Sequence, residues 1–231
     1  GVLMVCYACL LVIGGLLTWL KYDYNTVKME DVREACGYVS ASATSVEAPE
    51  IALTFDDGPS AAWTPALLDG LKERGVKATF FLIGENADKN PEIVKRMAEE
   101  GHLIGNHTYH HVELTKVTEK EARSELADTN AVIVRITGKE PEYMRPPFGA
   151  WQRKLEQEIR MLPVLWTIDP LDWTTENQDE IVNKVVTEAE ENDIILLHDC
   201  YKSSVEAGLR IVDILQEEGF VFVTVDELLL N

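Results

Sequence analysis

Cysteine is scarce, with four in 231 residues, and Cys6 and Cys9 lie inside an apolar run. There they read as small hydrophobes rather than as a redox or zinc pair. Cys36 and Cys200 would pair only if the linker between the apolar run and the folded domain turned back, so no disulfide framework is expected. Basic charge is also short: 21 Lys and Arg stand against 40 Asp and Glu, a net charge of -19. Nucleic acid as a partner is thereby excluded, because its phosphates call for a basic stripe. Only five of the acidic and three of the basic residues lie in 21–48, so the remainder is acidic in its own right and suits a neutral or cationic polymer. Internal repeats are absent.

Long uncharged runs are limited to one. From Val2 to Leu20, "VLMVCYACLLVIGGLLTWL" carries no charge over 19 residues. At about 1.5 Å per helical residue this run just crosses a hydrocarbon core of about 30 Å. Trp19, Lys21, Tyr22 and Tyr24 flank it like an interfacial belt. The apolar part of a secretory signal is shorter, about 7 to 15 residues. The expected organisation is a transmembrane anchor over 1–20, a linker over 21–48 ending in the small and polar "VSASATSVEA", and a folded domain over 49–231.

Beyond the linker the pattern is regular. Short apolar runs rich in β-branched and aromatic residues occur at 51–55, 77–83, 102–105, 142–145, 163–168, 193–197 and 220–225, giving seven candidate strands. Between them lie amphipathic segments with helix punctuation. Thr64-Pro65 opens a run that stops at Gly75, and Asn90-Pro91 opens one that stops at Gly101. Thr118 with Glu121, and Ser203 with Glu206, have the spacing of a capping box, and their helices stop at Gly138 and Gly219. Strand alternating with helix implies a parallel sheet, and seven such units suggest a closed or nearly closed barrel.

In a β/α barrel the residues just past the strand ends form the site. In chain order these are Asp56 and Asp57; His107, His110 and His111; Arg145; Asp169 and Asp172; His198 and Asp199. The chain has only five histidines, and four are in this set. The fifth, His102, precedes its strand and is expected to be structural. His107 and His111, four residues apart, would share one side of a helical turn, and His107 with His110 is the competing pair. Two imidazoles and a carboxylate make a donor set for a catalytic divalent ion. The adjacent pair in "LTFDDGPS" needs explaining, because a turn requires one Asp and a second adds repulsion.

The motifs "TFDDGP", "HTYHH", "RPPFG", "DPLDW" and "LLHD" resemble, in order, the five motifs of the polysaccharide deacetylase family, the NodB-homology domain of carbohydrate esterase family four. The similarity spans about residues 49–231. It implies a distorted (β/α)7 barrel, here preceded by the one amino-terminal transmembrane helix, and removal of acetyl groups from N-acetylated sugars of peptidoglycan, chitin or chitooligosaccharides. Some relatives are esterases on O-acetyl xylan, and a silent glycan-binding module is the remaining alternative. Carried over by position, the resemblance implies Asp56 as general base, held by Arg145, and His198 as general acid, tuned by Asp172. It implies Asp57, His107 and His111 as ligands of one divalent ion, zinc or else cobalt or another transition metal. Trp173 and Leu196 would line the pocket for the acetyl methyl, and the backbone N–H near Phe148 would help bind the oxyanion. Asp169 is expected to stand behind the acting groups or to support structure. His110 stands where relatives commonly carry a small hydroxyl residue, and either it or Cys200 would compete for the metal if turned inward. Trp63, Trp151, Trp166 and Trp173 are candidate sugar-stacking faces, with Trp166 the one expected to be buried. The expected setting is a monomeric enzyme anchored in the cell membrane with its catalytic domain outside.

Overall fold

A computed structural model describes residues 48–151 and 159–230. The expected membrane span and all but the last residue of the expected linker lie outside the described residues. Among those described, no helix is long and apolar enough to cross a membrane.

The chain runs β1 (Glu50–Asp56), α1 (Thr64–Glu73), β2 (Thr79–Leu82), α2 (Gly84–Lys89), α3 (Pro91–Glu99), β3 (Leu103–Asn106), α4 (Glu119–Thr137), β4 (Tyr143–Met144), β5 (Leu162–Pro163), α5 (Gln178–Glu188), β6 (Ile194–His198), α6 (Lys202–Glu217), β7 (Val221–Val223) and α7 (Val225–Leu230). Single 3-10 turns cover Pro147–Gly149 and Asp172–Thr174. All seven strands pair in parallel, in the order β5-β4-β3-β2-β1-β6, with β7 added to β1.

Three expectations are corrected. The run 163–168 is not one strand: 162–163 pairs with β4, and the chain then crosses to β6, where Ile168 bridges Ile195. Leu196 N–H donates to Ile168 O at 3.0 Å, so the crossing meets β6 through an isolated bridge. Second, β7 does not extend the series. It pairs with residues 50–52 of β1, below the 54–56 stretch used by β2, which makes the barrel incomplete. Third, Ser203 and Glu206 make no capping box. Helix α6 begins at Lys202 after Tyr201, which gives no side-chain cap, and Glu206 instead accepts from Gln178.

The other boundaries follow their local chemistry. Thr118 Oγ1 accepts the Glu121 N–H and Glu121 Oε2 accepts the Thr118 N–H, a complete capping box worth about 1 kcal/mol. Helix α4 then ends at Gly138 with φ 74°, the left-handed region that glycine enters without steric cost.

Strand alternation divides the core and positions the site. Ile51, Leu53 and Phe55 of β1 are fully buried against the surrounding helices, with Phe80, Leu82, Ile195 and Leu197 of the neighbouring strands. Each such side chain contributes about 1.5–3 kcal/mol. The alternate residues Ala52, Thr54 and Asp56 face the interior. Its lower part is apolar, with Ala52, Phe81, Tyr143, Val164 and Val223 sealed by Val225 and Leu228 of α7. Above that layer the interior becomes polar and leads to the strand ends.

Candidate active site

Arg145 fills the middle of the interior. It follows β4, is completely buried, and is the largest fully buried side chain described. Burying a guanidinium is tolerable only when its donors are satisfied. Here Nη1 donates to Asp56 Oδ1 at 2.9 Å and to Thr54 Oγ1 at 2.7 Å, Nη2 to Leu165 O at 3.0 Å, and Nε to Val164 O at 3.2 Å. The Phe81 and Trp166 rings cover it, their centroids 4.3 and 5.6 Å away. Burial lowers the Arg145 pKa, against the pull of Asp56, yet the group stays the obvious counter-charge for that carboxylate.

Asp56 and Asp57 leave β1 in different directions. Asp56 points inward to Arg145, whereas Asp57 turns away through φ 71°. Asp57 Oδ1 lies 3.4 Å from His107 Nε2 and 3.4 Å from His111 Nε2. The three ligand atoms fall within 4.8 Å of one another, a grouping able to hold one metal ion. Two observations fit that use. Asp57 Oδ1 is buried and has no hydrogen-bond partner. His107 Nδ1 lies 2.7 Å from Arg145 O; with its proton donated there, Nε2 keeps a free lone pair facing Asp57. Burial also pushes the His111 pKa down, which favours the neutral imidazole a metal requires. Burial would raise the Asp57 pKa, but His107, His111 and His198 together hold it below its usual value.

His110 is not in this group. Its Nδ1 pairs with Glu125 Oε1 at 2.8 Å and its N–H donates to Glu125 Oε2 at 2.7 Å, which turns the ring outward. Glu125 Oε2 also accepts the Tyr109 N–H, so one carboxylate organises the loop that presents His111. The 107/111 pair is therefore the one brought together, but by a left-handed turn at Thr108 and His111 (φ 63° and 56°) and not by a helix. Five of the six described non-glycine residues with positive φ are Asp57, Thr108, His111, Phe148 and Leu171, all within or next to the motifs; Asn192 is the sixth. Such backbone is costly and is kept where surrounding contacts over-determine it.

Across the opening, His198 Nδ1 pairs with Asp172 Oδ1 at 2.8 Å and its backbone N–H donates to Asp172 Oδ2 at 2.8 Å. Burial opposes the charged imidazole, but Asp172, with Asp56 and Asp57 behind it, raises the pKa to about 9. Leu196, two residues before His198 on the same strand face, is buried, whereas Trp173 is 56% exposed at the rim. The Phe148 ring, 67% exposed, meets His111 edge-on at 4.8 Å. Asp169 accepts the Leu171 N–H in a local turn, as expected of a structural residue. Trp63 packs on the main core and Trp151 on a smaller one, and Trp166 is half-buried over Arg145, so of the four tryptophans Trp173 is the exposed one. His102 is buried, accepts the Ala78 N–H at 3.1 Å, and is held neutral by burial with a pKa lowered to about 4. Burial pushes the Cys200 thiol up to about 12, so it stays protonated, and it is not part of the metal-binding group.

Sequence reasoning misses Thr54 and Glu125 and gives Asp199 no role beyond its place at a strand end. Thr54 shares Arg145 with Asp56. Asp199 is fully buried, with its pKa raised to about 7 by burial, and its Oδ2 accepts the Thr64 hydroxyl at 2.5 Å. Thr54 lies inside an apolar strand, and the other two carry no local signal beyond an acidic side chain.

The family model for polysaccharide deacetylase matches residues 43–165. A peptidoglycan-N-acetylglucosamine deacetylase of Bacillus cereus is 43% identical over 194 residues, covering 81% of this chain and 70% of that protein. The peptidoglycan-N-acetylglucosamine deacetylase PgdA of Listeria monocytogenes is 38% identical over 87% of this chain, which spans only 45% of that relative's length. The solved structure of peptidoglycan deacetylase PdaC from Bacillus subtilis superposes with a TM-score of 0.77 at 40% identity, covering 79% of this chain and 90% of that one. With five motifs assembled on one rim of the same fold, the chain belongs to the polysaccharide deacetylase family.

Proposed function

We propose that this chain removes N-acetyl groups from N-acetylglucosamine units of cell-wall glycan, peptidoglycan above all, or of chitooligosaccharides. The observation that carries this reading is the division between adjacent carboxylates: Asp57 joins two imidazoles, and Asp56, one residue earlier, is bound by Arg145 instead. A divalent ion, zinc in this proposal, would be held by Asp57, His107 and His111, where it would polarise the acetyl carbonyl and acidify water. Asp56 then accepts a proton from the attacking water, and Arg145 keeps it ionised and aimed. The amide nitrogen leaves poorly as an anion. His198, charged through its pairing with Asp172, donates the proton it needs. Leu196 and Trp173 would contact the acetyl methyl, and the backbone N–H of Phe148 would face the developing oxyanion.

The same proposal takes in the amino-terminal part. A span over 1–20 would anchor the chain in the cell membrane, and 21–48 would tether the catalytic domain outside, next to its substrate. One chain contains all the groups named, so a monomer is the working unit.

Purified protein supplied with zinc or cobalt should release acetate from N-acetylglucosamine oligomers and from peptidoglycan, and a chelator should stop it. Release from acetylxylan alone would move the function to O-acetyl ester hydrolysis. No release from any acetylated glycan would contradict the proposal.

A further inference from the structure

Asp199 is a fully buried carboxylate beside the site that the chemistry above does not use. It follows His198 at the end of β6. Its Oδ2 accepts the Thr64 hydroxyl at 2.5 Å, and its buried Oδ1 has no hydrogen-bond partner. Thr64 Oγ1 accepts the Ser60 N–H at 2.7 Å, which joins the carboxylate to the loop that leaves β1. The carboxylate also lies directly on Gly58: a Cβ there would stand 2.4 Å from each of its oxygens. Only glycine allows that approach. Gly58 is the residue after Asp57, and Asp57 is in the left-handed region. On the other flank, Asn86 Nδ2 donates to Asp57 O at 2.8 Å. The Asp57 turn is thus gripped on both sides, and one grip originates beside His198.

A buried carboxylate with an unpaired oxygen opposes folding, so it calls for a compensating role. Residues behind a metal's ligands commonly fill that role by fixing ligand orientation. We infer that Asp199, acting through Thr64 and Gly58, is a positioning residue for the cation site. It holds the turn that aims Asp57 at His107 and His111, and it ties that turn to the strand carrying His198. The inference rests on the proposed use of Asp57 as a metal ligand. It adds that the metal side and the acid side of the site are mechanically joined.

The test is zinc affinity, measured by competition with a chromogenic chelator, on Thr64→Val, Thr64→Ser and Asp199→Asn. Thr64→Val keeps the side-chain shape and removes the hydroxyl, whereas Thr64→Ser retains it. Thr64→Val and Asp199→Asn should bind zinc about tenfold more weakly, with Thr64→Ser close to the parent. For the two weakened variants, kcat on N-acetylglucosamine oligomers should fall while KM stays unchanged. Parent-like zinc affinity in Thr64→Val, with only a lower melting temperature, would overturn the inference and reduce Asp199 to packing. If Asp199→Asn fails to fold, the two Thr64 variants decide alone. Zinc affinity is read without turnover, so a chain that releases no acetate would sink the proposed function and leave this inference to be judged separately.

Discussion

Two buried ion pairs flank the centre of the site, Asp56 with Arg145 and Asp172 with His198, and they are built in opposite senses. In the first the fully buried member is the cation, Arg145, and the carboxylate side chain keeps 4% of its surface. In the second the carboxylate, Asp172, is fully buried and the imidazole keeps 13%. Each pair therefore presents one member to the opening and uses the other as an anchor. A carboxylate held by a permanent cation suits accepting a proton, and an imidazole held by a carboxylate suits giving one. In the proposed reaction these two pairs of similar length, 2.9 and 2.8 Å, would support opposite halves of one proton inventory.

The largest effect should come from removing the permanent cation. Arg145→Met leaves Asp56 buried without its guanidinium, and breaking such a pair costs about 3–5 kcal/mol. Urea unfolding should register that loss together with the loss of turnover, and a variant as stable as the parent would contradict the role given to Arg145. On the other side, His198→Asn should lower kcat by about 10² to 10⁴-fold, the usual range for a lost general acid. Its zinc content should stay at the parent level.

A subtler change separates anchor from working group. Asp172→Asn should move the alkaline limb of the kcat/KM profile down toward the ordinary histidine value, because Asp172 is what holds His198 at about 9. The same shift predicts a stability effect in the metal-free protein. Since the folded-state value lies above the unfolded one, the His198 contribution is complete below about 6.5, declines above it, and is lost as pH rises through about 9. Melting curves across that window should slope in the parent and flatten in Asp172→Asn. The smallest change is expected for His110→Ala. Its pairing with Glu125 is exposed on the histidine side, so stability should move by less than about 1 kcal/mol, with zinc content unchanged.

Much of this molecule was legible from local chemistry. The apolar run before Asp56 is β1, Thr118 and Glu121 do cap α4, and of the residues past the strand ends Asp57, His107 and His111 come together, as do Asp56 with Arg145 and Asp172 with His198. The features that escaped depend on partners distant in sequence. Thr54 belongs to the site because Arg145 reaches it from 91 residues away, and Asp199 because Thr64 does from 135. The run 163–168 looks like one strand by composition, and only its change of partner from β4 to β6 splits it. Ser203 and Glu206 have capping spacing, but the helix has already begun at Lys202 and Glu206 turns to Gln178. The separation of His110 from His111 was likewise invisible, since it depends on where Glu125 of α4 lies.

Zinc stoichiometry and acetate release, measured side by side on Asp56→Asn and Asp57→Asn, test the division of labour most directly. Asp56→Asn should keep one zinc per chain and lose turnover by at least about 10²-fold, whereas Asp57→Asn should lose the zinc itself. Loss of zinc from Asp56→Asn, or full zinc in Asp57→Asn, would contradict the separate tasks assigned to the two adjacent carboxylates.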